Sequence, residues 1–198
     1  MVNDRGQSET TGNTRDNLIA AAVRLAAAHG TDASVRTITR EAGVTEAMLY
    51  RHFKNKDDLW RDIYTRIVTE MIDEKRALMH TDEPLSVRLR EWIRLTYAYY
   101  DGNRDAFTYV LLMPHAFTEK LGTVCTRQGE MLRDLIVKGQ RADECRADLD
   151  PDLAVSHFGG LMLNIPRLIN AGQLPGPAMR HVDDVADAVH RVLGLNTP

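Results

Sequence analysis

Apolar residues recur every three to four positions along most of the chain, and almost no stretch alternates with period two. This pattern predicts helices throughout. Leu18, Ala22, Leu25 and Ala26 make a first stripe, with Thr14 placed to cap its start and Gly30 its end. Ser34 heads a second short helix that stops before Gly43, and Thr45 heads a third that runs to about Phe53. Asn55 with Asp58 three residues on forms a capping-box pattern, followed by the stripe Leu59, Ile63, Ile67, Met71 and on toward Leu78. Pro84 suits the first position of a helix carrying Leu85, Leu89, Trp92, Ile93 and Thr96, stopped by Asp101-Gly102-Asn103. A short helix around Phe107, Val110 and Leu111 ends near Pro114, and a longer one runs from Leu121 to Gly139. Asp150-Pro151 opens a helix through Phe158, Met162 and Leu168, with a kink expected at Pro166. After the turn 173–177, the last helix carries Val182, Val185, Val189 and Val192. The expectation is an all-α protein of about nine helices.

Within this series, residues 34–56 differ from the rest. Two short helices joined by a tight turn containing Gly43 are a helix-turn-helix arrangement. Ile38, Ala42, Val44 and Leu49 are the apolar positions that lock the pair, which leaves Thr45–His52 free to enter a major groove. The whole chain has 198 residues and a net charge of −3, which excludes nucleic-acid binding driven by bulk charge. Locally the balance reverses: Arg36, Arg40, Arg51, Lys54 and Lys56 face only Glu41 and Glu46.

The run Ile38-Thr-Arg-Glu-Ala-Gly-Val-Thr-Glu-Ala-Met-Leu-Tyr-Arg-His-Phe-Lys-Asn-Lys56, followed by Leu59, resembles the signature of the TetR (tetracycline-repressor) family of bacterial regulators. The resemblance covers about two dozen residues closely and the whole chain loosely. It implies that Thr45 caps a recognition helix and touches a phosphate, while Glu46, Ala47 and Met48 face base edges. Tyr50 and His52 would reach the DNA backbone or neighbouring bases, Lys56 a phosphate, and Arg36 a base or phosphate. For Lys56 there is independent physics, because a helix start offers free N–H groups and a positive dipole end. Two positions depart from the family pattern. Thr39 stands where Ala is usual, and Glu46-Ala47 where a basic or small residue is followed by Gly. Glu46 either caps its helix electrostatically or accepts from a cytosine amine.

Residues 1–13, rich in Asn, Ser, Thr, Gly and charge, read as a flexible arm, and the resemblance divides the rest into a DNA-binding domain over 14–56 and a ligand-binding and dimerisation domain over 57–198. Seven of the twelve aromatics fall between Trp92 and Phe117, as in walls of a small-molecule cavity. Candidate lining residues are Trp92, Tyr97, Tyr100, Phe107, Met113, Met131, Phe158 and Met162, with His115, Gln128 and Asn164 as polar groups. Aromatics at helical spacing also build ordinary cores, and adjacent Tyr99 and Tyr100 cannot both face one cavity. The valines of the last helix repeat at 3-4-3 spacing, which suits a seam with another helix, and Gly159-Gly160 permits close backbone approach. Gly159, Gly160, Val182, Val185, Val189 and Val192 are therefore candidate interface residues, unless the valines pack on the chain's own core. In the family, such helices form a four-helix bundle across a two-fold axis.

The function expected is a ligand-responsive transcriptional repressor. It would bind a pseudo-palindromic double-stranded operator as a homodimer and be released by a small apolar or aromatic effector. A DNA-binding regulator with no small-molecule inducer is the alternative. An enzyme is not expected: Ser156-His157 lacks a nucleophile elbow, and no phosphate-binding Gly-rich loop, HExxH or CxxC occurs. No metal or cofactor is expected, since Cys125 and Cys145 have no ligand spacing. No apolar run nears the roughly 18–20 residues of a membrane span. The polar N-terminus has no signal-peptide core, so the cytoplasm is the expected compartment.

Overall fold

A computed structural model describes residues 5–112 and 126–195. Among these, nine α-helices and no strand are present, the all-α architecture that the apolar spacing predicts. They are α1 Arg5–His29, α2 Val35–Glu41, α3 Glu46–His52, α4 Lys56–Lys75, α5 Leu85–Gly102, α6 Arg104–Phe107, α7 Arg127–Arg141, α8 Pro151–Asn170 and α9 Val182–Leu193. Contacts divide the chain into two compact units, Met1–Ile67 with Asp105–Ala116, and Val68–Arg104 with Phe117–Pro198. The division falls inside α4 rather than at its start, and the segment after α5 returns to the first unit.

In the first unit, Leu18, Ala21, Ala22 and Ala26 of α1 are completely buried, as is Ile38 of α2 and Leu49 of α3. Small residues on α1 let α2 and α3 pack against it. α1 starts at Arg5, ahead of the cap expected at Thr14, which instead lies buried within the helix. Once the buried stripe holds the helix body, each added residue needs only one further hydrogen bond, so a polar extension propagates easily. Trp60, Tyr64 and Tyr109 form an aromatic cluster, with Trp60 and Tyr109 rings 5.4 Å apart. Tyr109 lies in a π-helical turn, Thr108–Leu112, that follows α6.

The second unit is built on α5, whose buried face runs Leu85, Leu89, Trp92, Ile93, Thr96, Tyr97 and Tyr100. Pro84 sits one position before this helix rather than at its first residue. α9 packs on α5 and α8, and α7 packs on α8. Asp150 caps α8 by accepting from the N–H groups of Asp152 and Leu153. Pro166 lies inside α8, buried. Gly139 has no room for a side chain: a Cβ there would collide with Leu85 Cδ2.

Candidate nucleic-acid interface

The turn between α2 and α3 is set by local chemistry. Ser34 Oγ accepts from Thr37 N–H at 3.0 Å and caps α2. Gly43 then takes φ +68°, which reverses the chain at no Cβ cost. Val44 N–H donates to Thr39 C=O at 2.9 Å and closes the turn. Thr45 has extended φ and ψ, and its hydroxyl oxygen accepts from Met48 N–H at 3.3 Å. The expected cap of α3 is thus in place, and the hydroxyl proton is left to donate outward. Asn55 Oδ1 accepts from Asp58 N–H at 2.8 Å, and Asp58 Oδ2 accepts from Lys54 N–H at 3.0 Å. The reciprocal bond therefore falls one residue earlier than in a strict capping box.

α3 has two distinct faces. Leu49 is fully buried and Phe53, just past the helix end, is 3% exposed, with the Arg15 guanidinium 5.6 Å from its ring centre. Arg15 is in turn held by Asp62 at 2.7 Å. On the opposite side Thr45, Glu46 and Ala47 are exposed, and Tyr50 is 54% exposed, one of the few large side chains so open. Met48, His52 and Lys56 are half-buried, and Arg36 is exposed on α2. Arg36, Arg40, Arg51, Lys54 and Lys56 make no ion pair with any described residue. Of the two acids in this segment, Glu41 is taken up by Arg24 at 3.3 Å, which leaves the surplus in place. Thr39 is accommodated in the packed side of α2: it is 3% exposed and its hydroxyl donates to Arg36 C=O at 3.2 Å.

The residues expected around a ligand are mostly packed core. Trp92, Tyr97, Tyr100 and Phe158 are at most 1% exposed and Met162 is buried, all in the second unit. Trp92 and Phe158 meet edge to face, and Tyr97 Oη donates to Met162 C=O at 2.9 Å. Tyr100 Oη bonds Asn170 Oδ1 at 2.8 Å. Phe107 belongs to the first unit instead, and Asn164 is exposed on α8. Gln128 and Met131 are half-buried on α7. Met113 and His115 lie outside the described residues.

The valine stripe of α9 turns inward. Val182, Val185 and Val189 are buried where α9 packs on α5 and α8 of the same chain, and Val192 is half-buried. A 3-4-3 spacing marks a buried helix face but not whose helix covers it, and here the covering helices are the chain's own. Gly159 and Gly160 sit on the open side of α8, where an added Cβ would meet nothing within 4 Å.

Two basic side chains of the second unit are buried. Arg88 is buried and paired with Glu144 at 3.1 Å. Lys75 is completely buried on α4, between Met71 and Leu78 of the apolar stripe. The signal was there: the stripe passes from Met71 to Leu78 through position 75, and a lysine occupies it.

The exposed, cation-rimmed α3 on an all-α scaffold defines a helix-turn-helix protein. Residues 18–63 match the family model for bacterial regulatory proteins of the tetR family. The matched residues run from α1 into α4 and include the whole helix-turn-helix. Among solved structures, the fatty acid degradation regulator FadR from Bacillus halodurans has a TM-score of 0.79 at 21% identity, covering 92% of this chain and 97% of that one. FadR from Bacillus subtilis, in complex with stearoyl-CoA, has a TM-score of 0.75 at 18% identity, covering 87% and 96%. A TetR-like transcriptional regulator from Rhodococcus sp. RHA1 has a TM-score of 0.71 at 16% identity, covering 91% and 93%. At these identities the likeness establishes the fold. No curated protein sequence matches. No helix among the described residues is long and apolar enough to cross a membrane.

Proposed function

We propose that this chain is a transcriptional repressor that binds a pseudo-palindromic operator as a homodimer and lets go when its second unit takes a small apolar or aromatic ligand. The observation that carries the DNA part is the two-faced α3, pinned by Leu49 and Phe53 with Tyr50 exposed among five unpaired cations. Arg36, Thr45, Tyr50, His52 and Lys56 position the helix on phosphates, and Glu46, Ala47 and Met48 meet base edges. A dimer supplies two such helices about one DNA turn apart. The open side of α8, with Leu153 54% exposed and both glycines free of neighbours, is the face offered to a second copy. The ligand acts by favouring the geometry that does not fit DNA, and the coupling is reciprocal.

The test is a fluorescence titration of the purified protein against a random-sequence duplex over a range of salt. Affinity should fall steeply with salt, because cations displace counterions from phosphates. A salt-independent affinity contradicts the reading.

A second reading, a regulator with no small-molecule inducer, draws support from the closed packing of Trp92, Tyr97, Tyr100 and Phe158. Lys75 is the feature that favours the first.

A further inference from the structure

An ammonium has three N–H donors and no acceptor, and it is costly to bury without partners. Lys75 Nζ donates once, to Met71 C=O at 3.1 Å, a carbonyl of its own helix one turn back. It lies 5.6 Å from the centre of the Trp92 ring, which offers only a diffuse negative face. No carboxylate among the described residues pairs with it; Glu74, its neighbour, is exposed. The same unit gives its other buried cation, Arg88, a carboxylate partner in Glu144, with a further bond from Leu85 N–H fixing that acid in place. Lys75 is the buried cation left without one.

A second donor meets the same methionine. Gln128 Nε2 on α7 reaches only the Met71 sulfur, at 3.7 Å. Thioether sulfur is a weak acceptor, so this amide is poorly used. Lys75 and Gln128 therefore flank Met71, one on its carbonyl and one on its sulfur, both with hydrogens to give. Met71 is an unbranched side chain with several rotatable bonds. The same two helices border an open groove of about 260 Å³, lined by Thr69, Ile72, Arg76, Arg127, Met131 and the acids Glu130 and Asp134.

We propose that Lys75 and Gln128 receive the carboxylate of an amphipathic small molecule, its two oxygens accepting from Nζ and Nε2 while its apolar chain lies along Ile72 and Met131 of the groove. A carboxylate matches the site because it brings one charge and two acceptor oxygens to one cation and one amide. Burial lowers the Lys75 pKa to about 8, and a bound carboxylate opposes that shift by supplying a counter-charge. The inference deepens the reading of the second unit as a ligand domain and rests on it.

The test is calorimetric titration of the full chain with decanoate, 1-decanol and decanoyl-CoA, for the wild type, Lys75→Met, Lys75→Arg and Gln128→Leu. The wild type should bind decanoate at least about tenfold tighter than decanol, as a charge-assisted hydrogen bond requires. Lys75→Met should lose that preference and keep decanol, Lys75→Arg should retain part of it, and Gln128→Leu should weaken decanoate alone. The proposal is overturned if the wild type fails to bind decanoate, binds both equally, or favours decanoyl-CoA regardless of residue 75. It is also overturned if Lys75→Met or Gln128→Leu keeps the full preference for decanoate. Random-duplex binding by the same variants should match wild type, so a failure here is distinct from a failure of the regulator reading.

Discussion

Replacing Lys75 by Met tests how the second unit tolerates an uncompensated charge. The methionine keeps most of the buried stem and removes the ammonium. Burial lowers the lysine from its ordinary 10.5 to about 8, with the exposed Glu74 opposing only weakly. The unfolded chain therefore holds a proton that the folded chain gives up between these two values. Where the unfolded state binds more protons, stability rises with pH. The wild type should thus carry its full deficit below about pH 8 and lose it as the pH climbs past about 10. A proton-affinity change of this size corresponds to about 3 kcal/mol at neutral pH. The Trp92 contact and the Met71 carbonyl offset part of it, so a gain of about 1–3 kcal/mol is expected for Lys75→Met. Urea denaturation of both proteins between about pH 7 and about pH 10 gives the comparison. Burial also raises Tyr97, Tyr100 and Cys145, which destabilises the fold at alkaline pH as the unfolded chain ionises first. Those groups are present in both proteins and cancel in the difference. A Lys75→Met variant less stable than wild type at pH 7, or a difference that does not change with pH, would show that the buried ammonium carries no net cost.

Other consequences follow from single positions. Tyr50→Ala and Lys56→Ala should each weaken duplex binding while the sedimentation behaviour stays as in wild type, and Lys56→Ala should reduce the slope of log affinity against log salt by about 1. Gly43→Ala forces φ +68° on a residue with a Cβ, with nothing within 4 Å to clash. Its cost should be the backbone term alone, about 1–2 kcal/mol in a chemical melt, and an unchanged melt would mean that the turn relaxes. Gly139→Ala drives a methyl against Leu85 and should cost about 1–3 kcal/mol. The control Gly129→Ala, on the same helix with open space, should be stabilising by up to about 1 kcal/mol.

The helix-turn-helix was legible because its signals are local. Gly43, the caps Ser34 and Thr45, and the spacing from Tyr50 to Leu59 each act within one or two turns of helix, and the glycine and both caps take the places expected of them. Assignments that depend on distant partners were harder. The stripe of Val182, Val185 and Val189 is a buried face, yet its spacing is the same whether α5 and α8 or a second copy covers it. Clustered aromatics were legible as buried and not as lining: Trp92 and Phe158 fill space against each other, and Phe107 belongs with the other unit. The start of α1 was missed because a polar helix extension leaves no apolar period to read. Lys75 was passed over because the stripe of α4 reads as continuous around it, and a lysine's long stem gives no hint of where its nitrogen ends.

Selection of bound duplexes from a random pool at near-physiological salt asks whether this protein reads DNA as a symmetric pair of helices. Enrichment of an inverted repeat, with half-sites about one helical turn apart and bound by two chains, is the predicted result. Weak, salt-sensitive binding with no enriched sequence would contradict it.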